Sequence, residues 1–268
     1  MFRKFFAAVI LAVFMLNVQI VAAEDYDWSK APRIGTKAQL ARYIENGRRK
    51  GQTVFRVILM NGFKVDNRDD FWNLAVCRTL NGNWTNYSDG TTRIIYEITE
   101  YPGTRVANAY LSREPHMAWK NLIAEEQKLY NIAVGIVDEV KKRSSEIEKA
   151  RYIHDVICDR VLEYKVENER NETAIGALID GYAQCQGYSD AFYMLGRMAG
   201  LNVSRIRGHI NKDNGLHIWN TITFSDGKTY FVDLTNDDLH KTDVFFCATK
   251  ETMQKYFSCE WEIIPNLL

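Results

Sequence analysis

The chain has 268 residues, of which 46% are hydrophobic and 12% aromatic, enough for a substantial core and unlike the composition of a disordered protein. Lys plus Arg and Asp plus Glu both number 34, so the net charge is zero. This balance excludes a broadly basic surface for nucleic acid or an anionic membrane. The partner must therefore be inferred from individual residues.

The N-terminal segment has the pattern of a secretory signal. Arg3 and Lys4 precede an apolar run over residues 5–16, and Val21 and Ala23 stand at the cleavage positions. The run is shorter than the about 20 residues of a membrane helix, and no later segment approaches that length. We therefore expect a signal peptide over residues 1–23 and a secreted, cell-envelope or periplasmic protein without a stable membrane span.

The cysteines and histidines have no metal-ligand spacing, so no metal and no cofactor is expected. An odd number of cysteines leaves at least one thiol unpaired in an oxidising compartment, and Cys185 is the candidate. The sequence leaves the pairing of the other four open: they are Cys77, Cys158, Cys247 and Cys259.

The residues after the signal peptide predict a small α+β region over residues 24–115. Apolar spacing predicts two helices, β-branched and alternating residues predict three strands, and Gly, Asn and Pro mark the turns. The helices cover residues 36–51 and 70–80, the strands 53–60, 92–99 and 105–111, and the turns 81–83, 89–90 and 101–103.

A second unit is predicted over residues 116–268. It begins with a long helix over residues 119–142, followed by a helix over residues 146–162. Ser145 and Glu148 have the spacing of a capping box at the start of this second helix.

Cys185 opens the next predicted helix, over residues 186–199, in which Phe192, Leu195 and Met198 recur at three-residue steps and Gly200 ends the pattern. The unpaired amides and the positive dipole end of a helix start favour a thiolate over a thiol. They also supply donors for an oxyanion, of which the Cys185 amide is the first candidate.

Three strands follow, over residues 203–208, 216–224 and 229–234, with a turn at residues 225–227. His217 and Asp233 then lie on neighbouring strands. A two-residue loop would place them on opposite faces of the sheet. A three-residue loop with Gly227 in a left-handed bulge pairs Trp219 with Asp233 and sets His217 diagonally beside the carboxylate. We predict the bulged loop.

Cys185, His217 and Asp233 are the residue types of a thiol nucleophile, a base that takes its proton and an acid that orients the base. Asp237 and Asp238 rival Asp233 as the acid, but they lie beyond the predicted strand end. His154, inside a predicted helix beside Asp155, is expected to have a structural role.

Three runs together resemble the core of the bacterial transglutaminase-like superfamily over residues 145–239: CQGYSDAF at 185–192, HIWN at 217–220 and DGKTYFVDLT at 226–235. The resemblance implies a papain-like α+β fold in which the cysteine-bearing helix packs on an antiparallel sheet. It implies Cys185 as nucleophile, His217 as general base and Asp233 as its orienting acid.

The chain departs from the family pattern at two positions: Ala183 replaces a glycine and Asn236 replaces a tryptophan. These departures concern the shape of the cleft. Tyr164 is similar to a recurrent aromatic of the family and is either an oxyanion donor or an ordinary aromatic at a helix end. Gln184 is a second support candidate, and Trp219 is expected to pack beside His217 and shield it from water.

The resulting hypothesis is an exported cysteine hydrolase that cleaves amide bonds of peptides, proteins or cell-wall peptide through a thioester. The same thioester gives glutamine acyl transfer, or crosslinking, when an amine replaces water. A catalytically silent binding or scaffold module on the cell surface is the alternative from another class, and the sequence does not specify an oligomeric state.

Overall fold

The computed structural model describes residues 26–60, 63 and 76–261. The predicted signal peptide and most of the predicted helix at 70–80 lie outside the described residues. Within these described ranges, no helix is both long enough and apolar enough to span a membrane.

Among the described residues of the N-terminal region, four strands form one sheet, and the helix α1 (Lys37–Arg49) packs on it. The strands are β1 (Arg33–Ile34), β2 (Val54–Leu59), β3 (Thr79–Asn86) and β4 (Thr92–Thr99), in the order β1-β2-β4-β3. β1 is parallel to β2, and the other pairs are antiparallel. The predicted helix at 36–51 and strands at 53–60 and 92–99 are confirmed, and Thr36 caps the helix by accepting from the Gln39 amide at 3.2 Å.

The predicted turn at residues 81–83 is wrong, because these residues continue β3 along the whole length of β4. A glycine suits this strand position because the Tyr96 ring lies over it, and a Cβ on Gly82 would lie 2.7 Å from Tyr96 Cδ1. Of the predicted helix at 70–80, residues 76–78 have no regular structure and residues 79–80 begin this strand. The predicted turn at 89–90 is confirmed, with Gly90 at a positive φ of 80°.

The predicted strand at residues 105–111 is also wrong, since this segment belongs to a helix, α2 (Pro102–Tyr110). Pro102 stands at the start of that helix, where its fixed φ and missing N–H are both suited to the first turn. The Tyr101-Pro102-Gly103 sequence therefore begins a helix rather than turning a hairpin.

The predicted long helix at residues 119–142 is two helices, separated where Ile123 takes an extended conformation. The Glu126 carboxylate accepts from the Ile123 amide at 3.3 Å and so caps the second one. The helix predicted at 146–162 is confirmed with its capping box, in which Ser145 Oγ accepts from the Glu148 amide at 3.3 Å. These helices are α3 (Pro115–Lys120), α4 (Ala124–Val140) and α5 (Glu146–Arg160).

The remaining elements surround a second antiparallel sheet, in the strand order β10-β7-β8-β9. The predicted helix at 186–199 is confirmed and begins at Cys185 itself. The elements are β5 (Glu163–Tyr164), β6 (Tyr182–Ala183), α6 (Cys185–Met198), β7 (Asn202–Ile210), β8 (Leu216–Thr223), β9 (Thr229–Val232), α7 (Leu234–His240), α8 (Lys250–Gln254) and β10 (Phe257–Ser258).

The predicted register of the β8–β9 hairpin is confirmed. Thr223 pairs with Thr229 and Asn220 with Val232, and Gly227 has a φ of 80° in the loop between them. The strand ends at Val232, however, rather than at residue 234. Asp233 is instead the N-cap of α7, and its Oδ1 accepts from the Asn236 amide at 3.3 Å.

Both faces of the second sheet are covered. Val203, Ile222 and Val232 face the helices and join the core around α6. The opposite face packs on the N-terminal sheet through Ile206, Trp219 and Phe231. Side chains alternate along a strand, so a single sheet supplies both of these cores.

A buried ion pair fixes α6 on the second sheet. Asp190, on α6, is fully buried and bonds to the guanidinium of Arg205 on β7. Its other oxygen accepts from the amides of Gly103, at 3.0 Å, and Ala174, at 2.9 Å. One carboxylate therefore joins α6, the sheet, the start of α2 and the segment before β6.

We expect Asp190→Ala to be strongly destabilising, by about 3–5 kcal/mol, because the Arg205 charge would stay buried without its partner. Urea unfolding followed by circular dichroism measures the change. Asp138→Ala, at an exposed position of α4, is the matched control and should leave the midpoint unchanged. An unchanged midpoint in Asp190→Ala would show that the pair does not hold the helix.

Candidate active site

Cys185 is the first residue of α6 and is 7% exposed. Its Sγ donates to Gln186 Oε1 at 3.0 Å. The preceding Gln184 is the N-cap: its amide donates to the Asn171 carbonyl at 2.9 Å, and its own carbonyl accepts from the Gly187 amide at 2.8 Å. The sulfur is thus held where the first amides of a helix lack intrahelical acceptors.

His217 stands near the start of β8 and donates from Nε2 to Asp233 Oδ2 at 2.8 Å. This bond places a proton on Nε2 and leaves Nδ1 for the thiol. Asn236 donates from Nδ2 to the same carboxylate oxygen at 2.6 Å, and that Nδ2 lies 3.2 Å from His217 Nε2. The position that departs from the family pattern is therefore part of the histidine–carboxylate pair.

The surroundings of His217 favour its protonated form. Burial lowers its pKa, but the charge of Asp233, the hydrogen bond to it and the hydrogen bond and charge of Cys185 outweigh that cost and raise the pKa to about 10. Cys185 and Asp233 therefore both act on the imidazole, which brings the three predicted residues into one site.

Two aromatic rings lie against the imidazole. Trp219 stacks on His217 with 5.8 Å between ring centroids, and Phe257 stacks at 5.2 Å with an angle of 18° between planes. Trp219 is buried beside the histidine, as predicted. A dry environment strengthens the electrostatic interactions within the pair.

Tyr164 lies close to the site on the short strand β5, where it pairs with Ala183, two residues before Cys185. Its ring is partly exposed. Burial, followed by the charges of Cys185 and Asp233, raises the pKa of its hydroxyl. The hydroxyl is therefore a neutral donor within electrostatic reach of the thiol.

The rival acids have other partners. Asp237 lies 3.4 Å from His154 Nε2 and accepts from the Phe245 amide at 3.0 Å. Asp238 accepts from the Tyr188 hydroxyl and pairs with Lys241 at 2.6 Å. His154 also contacts the neighbouring carboxylate of Asp155 at 2.9 Å. His154 therefore contacts two carboxylates, and its structural role stays a prediction.

The N-terminal region supplies part of the site wall. Val76 forms one buried apolar cluster with Cys185 and Ile218. Its carbonyl accepts from Arg48 Nη2 at 2.7 Å, and Arg48 is held in turn by both carboxylate oxygens of Glu100, at 2.6 and 2.8 Å. A buried ion pair therefore anchors the wall beside the thiol.

Cys158, Cys185 and Cys247 carry free thiols. The pKa of Cys77 is raised to about 11 and that of Cys247 to about 12, and in both cases burial is the largest cause. The pKa of Cys158 is also raised, by burial and by nearby carboxylates. In the part of the chain that the structure describes, no group of three or more Cys, His, Asp or Glu side chains could hold a metal ion.

A cavity of about 520 Å³ adjoins the site, with Asn236 and Phe257 in its lining. The wall includes the apolar Ile210 and Val244 and the basic Lys212. Both Asn236 and Phe257 contact His217, so the cavity lies next to the histidine.

Three contacts of the site were not predicted from the sequence. Gln186, whose Oε1 lies 3.0 Å from Cys185 Sγ, has no distinguishing spacing, and Phe257 lies in a two-residue strand far along the chain. Asn236 was visible only as a departure from the family pattern. Asn236 lies three residues after Asp233, a spacing that brings two side chains together on a helix. This spacing is informative only when it is known that a helix starts at Asp233.

Residues 134–234 match the sequence profile of the Transglutaminase-like superfamily, a range that contains Cys185, His217 and Asp233. No curated protein sequence matches the chain.

Similar solved structures include a TGase (TM-score 0.37, 12% identity, covering 76% of this chain and 59% of that one). A second is a proposed cysteine protease from Cytophaga hutchinsonii (TM-score 0.33, 12% identity, 59% and 62%). A third is the periplasmic domain of TgpA from Pseudomonas aeruginosa bound to ethylmercury (TM-score 0.34, 12% identity, 68% and 71%). The chain spans about three fifths of the length of the first two.

We expect iodoacetamide at about pH 6 to modify Cys185 at least about 10-fold faster than the other four thiols, because Cys185 stands at a helix start beside the imidazole of His217. Peptide mass mapping after timed quenching measures the five rates. His217→Ala should abolish the selectivity while the protein stays folded. Slow, equal labelling of all five thiols in the wild type would show that Cys185 is not activated.

Proposed function

We propose that this protein, whose residues 134–234 form a transglutaminase-like domain, is an exported cysteine-dependent amide hydrolase that acts on peptides, proteins or cell-wall peptide. The observation that carries the proposal is the 2.8 Å bond between His217 and Asp233, in a site whose imidazole also interacts with Cys185 at a helix start. This arrangement supports a nucleophile, a proton carrier and an orienting acid.

In the proposed reaction, the Cys185 thiolate attacks the carbonyl carbon of the substrate amide, and the carbonyl electrons move onto its oxygen. The amides at the start of α6 stabilise this oxyanion, with Tyr164 as a further donor. The intermediate collapses, the C–N bond breaks, and His217 gives its proton to the departing amine. A thioester between Cys185 and the acyl group remains.

Water completes hydrolysis. His217, now neutral at Nδ1, takes a proton from water as the oxygen attacks the thioester, and the carboxylic acid and the thiolate are released. Asp233 keeps the proton on Nε2 throughout and stabilises the imidazolium, and Asn236 fixes the carboxylate. Each turnover returns the thiolate–imidazolium pair.

Acyl transfer is the alternative outcome of the same thioester. Trp219 and Phe257 stack on the imidazole and keep its surroundings apolar, which disfavours water and favours a bound amine as second nucleophile. A silent binding module would need none of these contacts, and the intact trio argues against it.

We assign a separate role to each of three parts of the chain. Residues 1–23 act as a signal peptide and direct the protein to the cell envelope or the medium. Residues 24–115 support the cleft from one side, as the contact of Val76 with the site suggests, and residues 116–268 carry the reaction.

We expect the mature protein to cleave members of a peptide library, and Cys185→Ala and His217→Ala to lower kcat/KM by at least about 1,000-fold, because each removes a reacting group. Mass spectrometry of the products measures cleavage. Addition of a primary amine separates the two outcomes, since acyl transfer yields the amine adduct in place of the free acid.

Cys247→Ala is the matched control, since this thiol is outside the site, and it should keep full turnover. Normal turnover by either Cys185→Ala or His217→Ala would sink the proposed mechanism. Absence of any product or adduct from the wild type across the library would favour the silent module.

A further inference from the structure

We propose that Arg207 is the second cation of the active site, placed beside Cys185 so that its fixed positive charge stabilises the buried thiolate. The inference rests on the proposed function, and it assigns Arg207 a positioning role in the charge balance rather than a part in bond making. Its basis is the alignment of α6 with β7, the burial of Arg207 and the number of charges in the site.

The alignment is set by two contacts between α6 and β7. A Cβ on Gly196 would lie 2.7 Å from Val203 Cγ2, and Asp190 pairs with Arg205. The helix and the strand therefore run in opposite directions, so that residues nearer the start of α6 lie beside residues further along β7. From Asp190 to Cys185 the helix covers five residues, about 7.5 Å. Along β7, position 207 lies two residues, about 6.7 Å, beyond Arg205, which is a similar distance in the same direction.

Arg207 projects from the correct face of the sheet. Residues two apart on a strand share a face, so it projects on the side of Arg205, towards α6. It pairs across the sheet with Ile218, the residue that forms an apolar cluster with Cys185. Arg207 is only 6% exposed, so its charge is not screened as a surface charge is.

The charges in the site support the same role. In the resting state proposed above, the thiolate of Cys185 and the carboxylate of Asp233 share one imidazolium, which leaves one buried negative charge. Arg207 brings the total to zero. Because an uncompensated buried ion is costly, a second cation makes the ionised pair more stable than the neutral thiol and imidazole.

Arg207 also has other partners, among them the Tyr101 hydroxyl, to which it is hydrogen-bonded. Burial lowers the pKa of Arg207, but the guanidinium remains charged in proteins, and its interactions with Tyr101, Cys77 and Cys185 favour that charge. The titratable and charged groups around Arg207 and Cys185 include Tyr101, Cys77, Tyr164, His217, Asp233, Asp190, Arg205, Glu100 and Arg48. Two pairs among them are matched in charge, since Arg205 bonds to Asp190 and Arg48 to Glu100.

The test is the rate of Cys185 alkylation by iodoacetamide as a function of pH, which needs no substrate. Arg207→Gln should move the midpoint of this profile upwards by about 1–2 pH units, the usual effect of removing an opposite charge close to an ionised group. Arg207→Lys, which keeps the charge, should stay within about 0.5 units of the wild type.

Arg197→Gln is the matched control. It removes another buried arginine at the far end of α6, where it bonds to Asn108 at 2.8 Å, and should leave the midpoint unchanged. If Arg207→Gln does not fold, Arg207→Met replaces it, since Met keeps the length and apolar packing of the stem. Circular dichroism confirms that each variant is folded.

An unchanged midpoint in a folded Arg207→Gln or Arg207→Met variant would overturn the proposal. So would an equal shift in Arg207→Lys, because the effect would then come from shape and not from charge. The proposed function fails separately, if Cys185 of the wild type does not react at low pH at all.

Discussion

The buried ion pair between Asp190 and Arg205 holds the helix that begins at Cys185 in register with the sheet that carries His217. The same carboxylate binds the amides of Gly103 and Ala174, so helix, sheet and the start of α2 meet at one group. A thiol at a helix start is useful only when that start is fixed relative to the base. The ion pair provides this constraint without occupying the site itself.

The site combines burial with ionised groups, two properties that normally oppose each other. Burial alone would keep the imidazole neutral, yet Asp233 and Cys185 raise the pKa of His217 to about 10. Trp219 and Phe257 exclude water from one side, while Asn236 supplies the hydrogen bond that water would otherwise give the carboxylate. The low dielectric then increases the interactions that hold the ion pair together.

Much of this arrangement could be predicted from local sequence signals. The three-residue periodicity up to Met198 and the stop at Gly200 predicted α6, and the left-handed Gly227 predicted the hairpin register that joins His217 to Asp233. The sequence-based predictions were wrong where tertiary packing determines the local structure. Residues 105–111 have alternating apolar residues, but Pro102 begins a helix there, and the turn-like Asn81-Gly82-Asn83 extends a strand beneath Tyr96. Arg207 and Phe257 are ordinary in the sequence and become meaningful only once the strand register is known.

The most direct test of the account is a pH titration of the His217 ring nitrogens by ¹⁵N NMR in the resting protein. We predict an imidazolium at about pH 8 and a midpoint near 10, because the charge is stabilised by Asp233 and Cys185. Above that midpoint the proton is lost, and with it both the ion pair and the stability it contributes. Cys185→Ala and Asp233→Asn should each lower the midpoint. A neutral imidazole at about pH 8, with a midpoint near the ordinary 6.5, would contradict the account.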